Sequence, residues 1–483
     1  MKKRLLISSA RGLFAHLLVG VLVLSTSLTA QDRNERNARG SSQRRGDSTR
    51  SNSEEMQEAG FVTYSDGDRA VCRDLAKEEM QQLRREPEQM QQLRVISDRE
   101  RNAVLGRSPN EASLEATSLK IILRSTAQLD GFPDAKAAFI RAAAAWEAQI
   151  KNPITIIIDV DYGPTRFGQT YPTGVLGSTS TPSYRVTYDT ARTSLANTAS
   201  TAAETSLYAA LPTSSVNTDL GAVGNTSVTS PLMRALGLLP ATAADADPAP
   251  SIGFNSNFSF DFDPSDGISA GKTDFDAVAV HEMGHALGFT SNVGLYELSP
   301  TSTKSLTVWD LFRFRPGTTM ATFTTGARVL SSGGDQRFFD NHPELATSTG
   351  RPDGTGGDGR QASHWKADEQ SGVYIGIMDP TLSSGVRKTM TANDLQMLET
   401  VGYTISGSLP PPPCTFTISP TSTNASTIAS NGSVGVSASA SSCTWTAASN
   451  AAWLSVFFWR ERWATARWAI RCKRIPGPAV AAR

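Results

Sequence analysis

The chain of 483 residues is short of cysteine and histidine, with four of the first and five of the second. Cysteines this few and this scattered exclude a disulfide-rich scaffold and a zinc site made of cysteines alone. Net charge is missing as well, because lysine plus arginine and aspartate plus glutamate both total 46. A neutral chain has no field of one sign to recruit nucleic acid or an anionic membrane. We therefore expect no nucleic-acid partner.

Long apolar runs are absent except near the N-terminus. Residues 13–24 form a short apolar core between a basic stretch and small residues that end at Ala30. This order is typical of a cleaved export signal over residues 1–30, and the run is shorter than the ~20 residues that a membrane-spanning helix needs. A membrane anchor is the alternative reading. We expect a secreted protein whose mature chain has no membrane span.

Composition divides the rest of the chain into segments. Residues 31–116, rich in charged and small polar residues, are expected to form a disordered or propeptide-like segment. Residues 117–406 show strand patterns at 119–125, 154–162 and 251–262 and helix patterns at 132–151 and before Gly288, which predicts an α+β domain with a mixed sheet. Residues 163–250, rich in Ser, Thr and Gly, favour long loops with one or two helices. Residues 407–413 form a proline-rich linker.

The sequence His281-Glu282-Met283-Gly284-His285 has the form HExxH. Residues four apart share one face of a helix, so both imidazoles can bind one metal ion while Glu282 stands beside it. Zinc accepts nitrogen ligands tetrahedrally and leaves a position for water. The motif predicts His281 and His285 as zinc ligands and Glu282 as the general base of peptide hydrolysis. The alternative is a helix whose polar face happens to carry two histidines.

A catalytic zinc needs a third protein ligand. His16 belongs to the export signal, which leaves His342 and His364 as the other histidines of the chain. A downstream carboxylate such as Glu297 is a further alternative. The residues alone leave these three open.

The run HEMGHALGF, followed after a long insertion by SHW, IMDP and TANDLQMLETVGY, resembles the leishmanolysin branch of the metzincin zinc proteases. Ser291 stands where the compact metzincin pattern HExxHxxGxxH has its last histidine, and the leishmanolysin branch has an insertion at this point. The resemblance covers roughly residues 118–405. It implies a zincin fold with an active-site helix, a protein or peptide substrate, and His364 as the third ligand. It also implies a methionine turn at Met378 beneath the zinc.

Cys72 lies far from the other cysteines and has two interpretations. It is either a plain unpaired cysteine or a thiolate that masks the zinc in a latent form, since thiolates are good zinc ligands. The sequence leaves both open.

The pieces CTFTISP, CTWTA and AAWLSV within residues 414–456 resemble the first half of a BACON domain. The resemblance implies an incomplete immunoglobulin-like β-sandwich and a carbohydrate or surface contact. Cys414 and Cys443 are the best candidate disulfide pair, because they lie in one compact C-terminal region of an exported chain. Residues 457–483 carry tryptophan and arginine without a strand pattern. They are either a basic aromatic tail or the product of a shifted reading frame. We favour the frameshift, because codons compatible with residues 463–477 can encode the missing strands when read two bases later.

The sequence as a whole predicts a secreted zinc metalloendopeptidase. The main alternative is a secreted carbohydrate- or surface-binding protein that carries an inactive zincin domain. A metal-dependent hydrolase of other bonds is the third.

Overall fold

The computed structural model describes residues 56–85, 92–108, 118–263, 265–407, 416–422 and 434–440. The predicted export signal, the proline run of the linker, Cys414, Cys443 and the tail of the chain lie outside these residues. Within them, no helix combines the length and the apolar character needed to cross a membrane.

The described residues contain strands in six sheets and helices between them. The strands are β1 (Met56–Asp66), β2 (Arg69–Asp74), β3 (Arg94–Val95), β4 (Lys120–Ser125), β5 (Thr155–Gly163), β6 (Thr165–Arg166), β7 (Gln169–Thr170), β8 (Val175–Thr187), β9 (Val216–Thr218), β10 (Gly221–Val223), β11 (Asn225–Thr229), β12 (Ser251–Asn255), β13 (Phe260–Asp261), β14 (Thr273–Asp274), β15 (Leu306–Thr307), β16 (Arg313–Phe314), β17 (Arg337–Phe338), β18 (Leu345–Ala346), β19 (Thr381–Ser383), β20 (Phe416–Ser422) and β21 (Val434–Ala440). The helices are α1 (Lys77–Gln82), α2 (Asp98–Val104), α3 (Ala127–Asp130), α4 (Pro133–Gln149), α5 (Tyr188–Thr198), α6 (Ala202–Ala209), α7 (Ser230–Ala235), α8 (Phe275–Leu287), α9 (Leu295–Leu298), α10 (Met320–Phe323), α11 (Asp368–Ser371) and α12 (Ala392–Thr400), with a 3-10 helix at Trp309–Phe312.

One mixed sheet of ten strands organises the fold. Its main path is β19-β2-β1-β8-β12-β5-β4-β3, with β11 beside β8 and β15 beside β11. Strands β4, β5 and β12 are parallel, whereas β8, β1, β2 and β19 pair antiparallel with their neighbours. The predicted α+β class with a large mixed sheet is confirmed.

Helices α4 and α8 pack against each other beside this sheet. Trp146 of α4, fully buried, donates its indole N–H to the backbone oxygen of Val280 in α8 at 3.0 Å. Arg141 forms a two-point ion pair with Asp276 near the start of α8, at 2.6 and 2.7 Å. An apolar contact along the helices and a charged contact at one end hold α8 in one orientation.

Strand β8 corrects the expectation that residues 163–250 are mostly loop. This strand of 13 residues lies mid-sheet, although its sequence is rich in Ser, Thr and Gly. Its small side chains are buried because the neighbouring elements approach closely, and a Cβ added at Gly177 would fall inside the ring of Phe254. Apolar periodicity is weak in such a strand, so the pattern does not reveal it. The predicted strand over 251–262 is likewise two short strands, β12 and β13, separated by a turn.

The described N-terminal residues, 56–85 and 92–108, are ordered, in contrast to the disorder expected for residues 31–116, whereas the propeptide-like alternative stays a prediction. Strands β1 and β2 form a hairpin within the main sheet, and β3 pairs with β4 at its far edge. Ile96 is 2 % exposed in the main core, and Arg101 bonds both the backbone of Ile121 and the carboxylate of Glu147. This segment is ordered despite its charged composition, because its charged side chains have partners in the fold.

Gly177→Ala is expected to destabilise the fold by about 1–3 kcal/mol, since the added methyl group collides with a packed ring and a backbone oxygen. The change should lower the midpoint of urea unfolding. Gly224→Ala is the matched control, because a Cβ there meets nothing within 4 Å, and it should shift stability by less than about 0.5 kcal/mol. Equal stability of the two variants would contradict the packing of β8 against β12.

Candidate metal centre

Helix α8 begins and ends where its flanking residues allow. The carboxylate of Asp274 accepts a hydrogen bond from the backbone N–H of Ala277 at 3.2 Å and caps the first turn. Gly288 follows the last turn with a φ of 131°, a conformation that glycine adopts without strain. The residues of α8 between these ends are buried except Asp276, so both motif histidines face protein.

Three imidazoles meet beside this helix. The Nε2 atom of His281 lies 3.1 Å from Nε2 of His285, one turn later, and 3.2 Å from Nε2 of His364. The three ring centroids are 4.8, 4.8 and 5.1 Å apart. His285 and His364 are fully buried and His281 is 8 % exposed. The structure therefore brings together the three histidines predicted as ligands.

The second nitrogen of each ring fixes its protonation. Every Nδ1 faces a backbone carbonyl oxygen at 2.7–3.0 Å; the pairs are His281 with Ile377, His285 with Phe289 and His364 with Gln361. A carbonyl oxygen only accepts, so Nδ1 carries the proton and Nε2 carries a lone pair. Burial, reinforced by the neighbouring imidazoles, lowers the pKa of His285 and His364 well below the usual range, which favours neutral rings.

These lone pairs show that the residues fit a metal ion. Nitrogen lone pairs that point at one another across 3.1–3.2 Å repel, and a cation between them turns repulsion into attraction. Tetrahedral zinc with Zn–N bonds of about 2.0–2.1 Å separates two nitrogens by about 3.3 Å. The observed separations are close to this value. The donor set is able to hold a metal ion.

Cys72 supplies a fourth donor. Its sulfur lies 3.6 Å from Nε2 of His285, and the four donor atoms all lie within 4.8 Å of one another. A tetrahedral zinc with a Zn–S bond of about 2.3 Å places sulfur and nitrogen about 3.6 Å apart. Burial, followed by the charge of Glu282, raises the pKa of the Cys72 thiol well above its usual range. The neutral thiol is therefore favoured, and a thiolate would need a cation beside it; the spacing of the four donor atoms favours the ligand among the two interpretations of Cys72.

Met378 lies directly beneath the helix. Gly284, between the two motif histidines, has no side chain, and a Cβ there would overlap the sulfur of Met378. Met378 is fully buried. The glycine of HEMGH therefore permits the close approach of the turn that carries Ile377 and Met378.

Strand β1 covers the metal centre from the other side. The ring of Phe61 stacks on the imidazole of His285, with centroids 3.8 Å apart and planes inclined by 5°. The hydroxyl of Thr63 donates to Oε1 of Glu282 at 2.5 Å. The second oxygen of Glu282 is buried and accepts no hydrogen bond within the described part of the chain. The predicted general base is present, but its open side is occupied by Thr63.

A narrow recess of about 20 Å³ lies between the β1–β2 hairpin and α8. Its walls include Thr63 and Cys72 from the hairpin, His281 and Val278 from α8, and Leu382 from β19. It is mostly apolar and reaches the metal centre at His281.

The other candidate ligands lie elsewhere. His342 pairs through Nδ1 with the carboxylate of Asp340 at 3.1 Å. Glu297 accepts hydrogen bonds from the backbone and hydroxyl of Ser332 at 2.6 and 2.8 Å. The hydroxyl of Ser291 donates to a buried aspartate of the 3-10 helix at 2.6 Å. None of the three belongs to the described group that surrounds His281.

A second group of carboxylates, Asp368, Glu369 and Asp379, also lies close enough for a shared cation. Protein cations already occupy it. Lys388 lies 2.9 Å from Asp368 and 3.2 Å from Asp379, and Arg360 lies 2.8 Å from Glu369. This group is an ion-pair network of the protein itself.

The contributions of Phe61 and Thr63 were missed from sequence, although a signal for their hairpin exists. The dipeptide Gly67-Asp68 separates the runs FVTY and AVC, and a two-residue Gly-Asp loop between apolar runs is a hairpin pattern of the type II′ turn. Gly67 has the positive φ, 66°, that such a turn requires. The pattern predicts the hairpin but not its place in the sheet.

His364→Ala is expected to weaken zinc binding by more than about 100-fold, because loss of a ligand exceeds the effect of losing its supporting bond. Zinc per chain and its dissociation constant, measured by competition with a chromophoric chelator, test this. His342→Ala is the matched control and should bind zinc like the wild type. Wild-type affinity in the His364 variant would remove it from the ligand set.

Comparisons with known proteins give no match to set beside this geometry. No protein-family model matches the chain, and searches of curated proteins and of solved structures found no match either. The site is therefore argued from its own residues: three converging imidazoles, a buried glutamate beside them and a thiol on the fourth side.

Proposed function

We propose that the chain is a secreted zinc-dependent metalloendopeptidase with a metzincin-like catalytic domain. The observation that carries the proposal is the convergence of three unprotonated Nε2 atoms next to the buried carboxylate of Glu282. Nitrogen ligands in tetrahedral spacing favour zinc among the common protein metals. His281, His285 and His364 would hold the ion.

A bound zinc would supply two things, polarisation of the scissile carbonyl and a water of lowered pKa. Glu282 supplies the proton transfers. Its Oε2 atom has no protein partner in the described residues, so it is free to accept a proton from the attacking water and to pass it to the leaving amine. The carbonyl partners of the three Nδ1 atoms keep the rings oriented during these steps.

Strand β8 offers the backbone edge on which an extended peptide can bind. In the structure this edge pairs with β1 over residues Met56–Tyr64. When β1 leaves, the same N–H and C=O groups are available to a substrate, which would add to the sheet as a new strand. Because sheet pairing recognises main chain, the substrate class is a protein or peptide.

We further propose that the described conformation is the latent form of this enzyme. Phe61 covers the ligand His285, Thr63 binds the base Glu282, and Cys72 lies at the metal position. All three contacts would block a substrate. Four-coordinate zinc sites with protein ligands only are typically structural, whereas catalytic sites keep an open position. Activity then requires departure of the hairpin.

The hairpin is also anchored by contacts away from the metal position. Strand β1 pairs with β8 and strand β2 pairs with β19, so the hairpin lies between these two strands of the sheet. Beyond α1, the guanidinium of Arg85 pairs with the buried carboxylate of Asp159 and also donates to a backbone oxygen at 2.9 Å. Arg166, fully buried, donates to the backbone oxygen of Leu83 at 3.0 Å. The inhibitory segment thus includes both the hairpin and the residues that follow it up to Arg85.

The complete ligand set and the buried Glu282 weigh against an inactive zincin domain that serves only as a support. A carbohydrate- or surface-binding role would belong to residues 414–483, of which two paired strands, β20 and β21, are described. Activity on casein rather than on sugar or ester substrates would separate a peptidase from other metal-dependent hydrolases.

Cys72→Ala is expected to raise casein hydrolysis by at least about tenfold. This corresponds to a loss of about 1.4 kcal/mol from the free energy that keeps the hairpin closed over the site. The three histidines remain, so zinc per chain should stay at the wild-type level. Adding Thr63→Val should raise activity further, since it frees Glu282. Ser65→Ala, an exposed change in the same hairpin, is the control and should leave the protein latent. A folded, zinc-loaded Cys72 variant as inactive as the wild type would refute latency through the thiol.

Glu282→Gln, made in the Cys72→Ala background, is expected to lower casein hydrolysis by about 10²–10⁴-fold, because the amide cannot take up the proton. Zinc content should not change. Glu297→Gln in the same background is the matched control, since Glu297 binds Ser332 in a loop that carries none of the predicted ligands. Undiminished hydrolysis in the Glu282 variant would overturn the proposed mechanism.

A further inference from the structure

Asp394 is a fully buried carboxylate at the start of helix α12. Part of its surroundings is ordinary helix capping. The backbone N–H and the hydroxyl of Thr391 donate to its Oδ2 atom at 2.8 and 3.1 Å. Such a capping box satisfies the first turn of a helix and needs no further explanation.

Three further hydrogen bonds to Asp394 come from outside its helix. The backbone N–H of Ile377 donates to Oδ2 at 2.8 Å, that of Met378 donates to Oδ1 at 3.4 Å, and the indole N–H of Trp365 donates to Oδ1 at 2.8 Å. Helix capping accounts for none of them. A Cβ at Gly376 would overlap the same carboxylate, so the chain is held against it.

These donors lead directly to two of the metal ligands. The carbonyl of Ile377 accepts the Nδ1 proton of His281 at 2.8 Å. The N–H of the same peptide group belongs to Met378 and donates to Oδ1 of Asp394 in a long, weak hydrogen bond of 3.4 Å. One peptide therefore connects the carboxylate to the imidazole, and each hydrogen bond polarises the next.

The second route passes through Trp365, the residue after His364. Its indole is fixed by Asp394, and its backbone N–H donates to the oxygen of Met378 at 3.0 Å. Trp365 is fully buried and packs edge-to-face on Trp309, with ring centroids 5.2 Å apart. The spatial position of the backbone at His364 is thus also fixed by the Asp394 carboxylate, through Trp365.

The carboxylate of Asp394 is surrounded by neutral donors. Outside α12 these are two backbone N–H groups and an indole N–H. Burial raises the pKa of Asp394, and these N–H donors oppose the rise because they favour the ionised carboxylate. A buried anion is stabilised by a nearby cation, and in a low-dielectric interior its field reaches one residue shell away.

We infer that Asp394 is a positioning residue of the metal centre, which raises metal affinity by polarising the Ile377–Met378 peptide that binds His281 and by fixing Trp365 next to His364. This inference rests on the proposed metal site, because it concerns how that site is tuned. Groups that orient histidine ligands through their second nitrogen typically change metal affinity by about 10–100-fold.

The test compares Asp394→Asn with Asp340→Asn in the full chain. Asp340 is also buried and also binds α12, through Gln396 at 2.9 Å and Thr400 at 2.8 Å, but it has no bond to a ligand segment. Both variants should lower the melting temperature of the metal-free protein. Only Asp394→Asn should raise the zinc dissociation constant, by about 10–100-fold, in competition with a chromophoric chelator. It should also alter the ligand-field absorption of the cobalt-substituted protein.

Zinc affinity and cobalt absorption of the wild type in a folded Asp394→Asn protein would overturn the inference and leave the residue as a helix cap. Equal loss of affinity in both variants would overturn it as well. If Asp394→Asn does not fold, Trp365→Phe is measured instead, because it removes the indole donor to Asp394. Wild-type zinc affinity in that variant would likewise overturn the inference. A wild-type protein that binds no zinc would instead overturn the proposed metal site, so the two failures are distinguishable.

Discussion

Three buried imidazole nitrogens, each with its lone pair directed at the others, are the constraint on which the other features of this structure depend. Their spacing of 3.1–3.2 Å is unfavourable without a cation, and the surrounding protein maintains it all the same. Backbone carbonyls hold the three Nδ1 protons, Gly284 admits Met378 beneath the helix, and the pairing of Trp146 with Val280 holds the helix in place. These contacts orient the three rings towards one position, and such supporting contacts raise the affinity of a site for a metal ion.

The closed state uses the same sheet that a substrate would use. Strand β1 satisfies the edge of β8 and β2 satisfies β19, so closure leaves no unpaired backbone between them. A divalent ion at this position would face the thiolate of Cys72 and the carboxylate of Glu282, whose two negative charges match its own. In the proposed enzyme, departure of the hairpin would remove the charge of the Cys72 thiolate and leave the open coordination position that catalytic zinc sites have.

Sequence was informative where chemistry is local. One helical turn separates His281 from His285, so their shared role follows from spacing alone, and the caps at Asp274 and Gly288 follow from residue type. His364 needed a family resemblance, because the link from residue 285 to residue 364 passes through short strands without a strong period. Thr63 was out of reach, since its partner Glu282 is 219 positions away. Strand β8 was missed because small hydroxyl side chains fill its buried face, where apolar alternation is the usual signal.

The position of Cys72 in the chain has a consequence for biosynthesis. The hairpin precedes the helix that it blocks, with 213 positions between Cys72 and His285, and a ribosome releases chain in that order. By the time His364 and the closing helix α12 emerge, the segment that seals the site is already present. Both the site and its seal depend on contacts across most of the chain, which form late and slowly. If the proposed latent form is correct, a nascent molecule would therefore have its closing segment in place before its last metal ligand emerges.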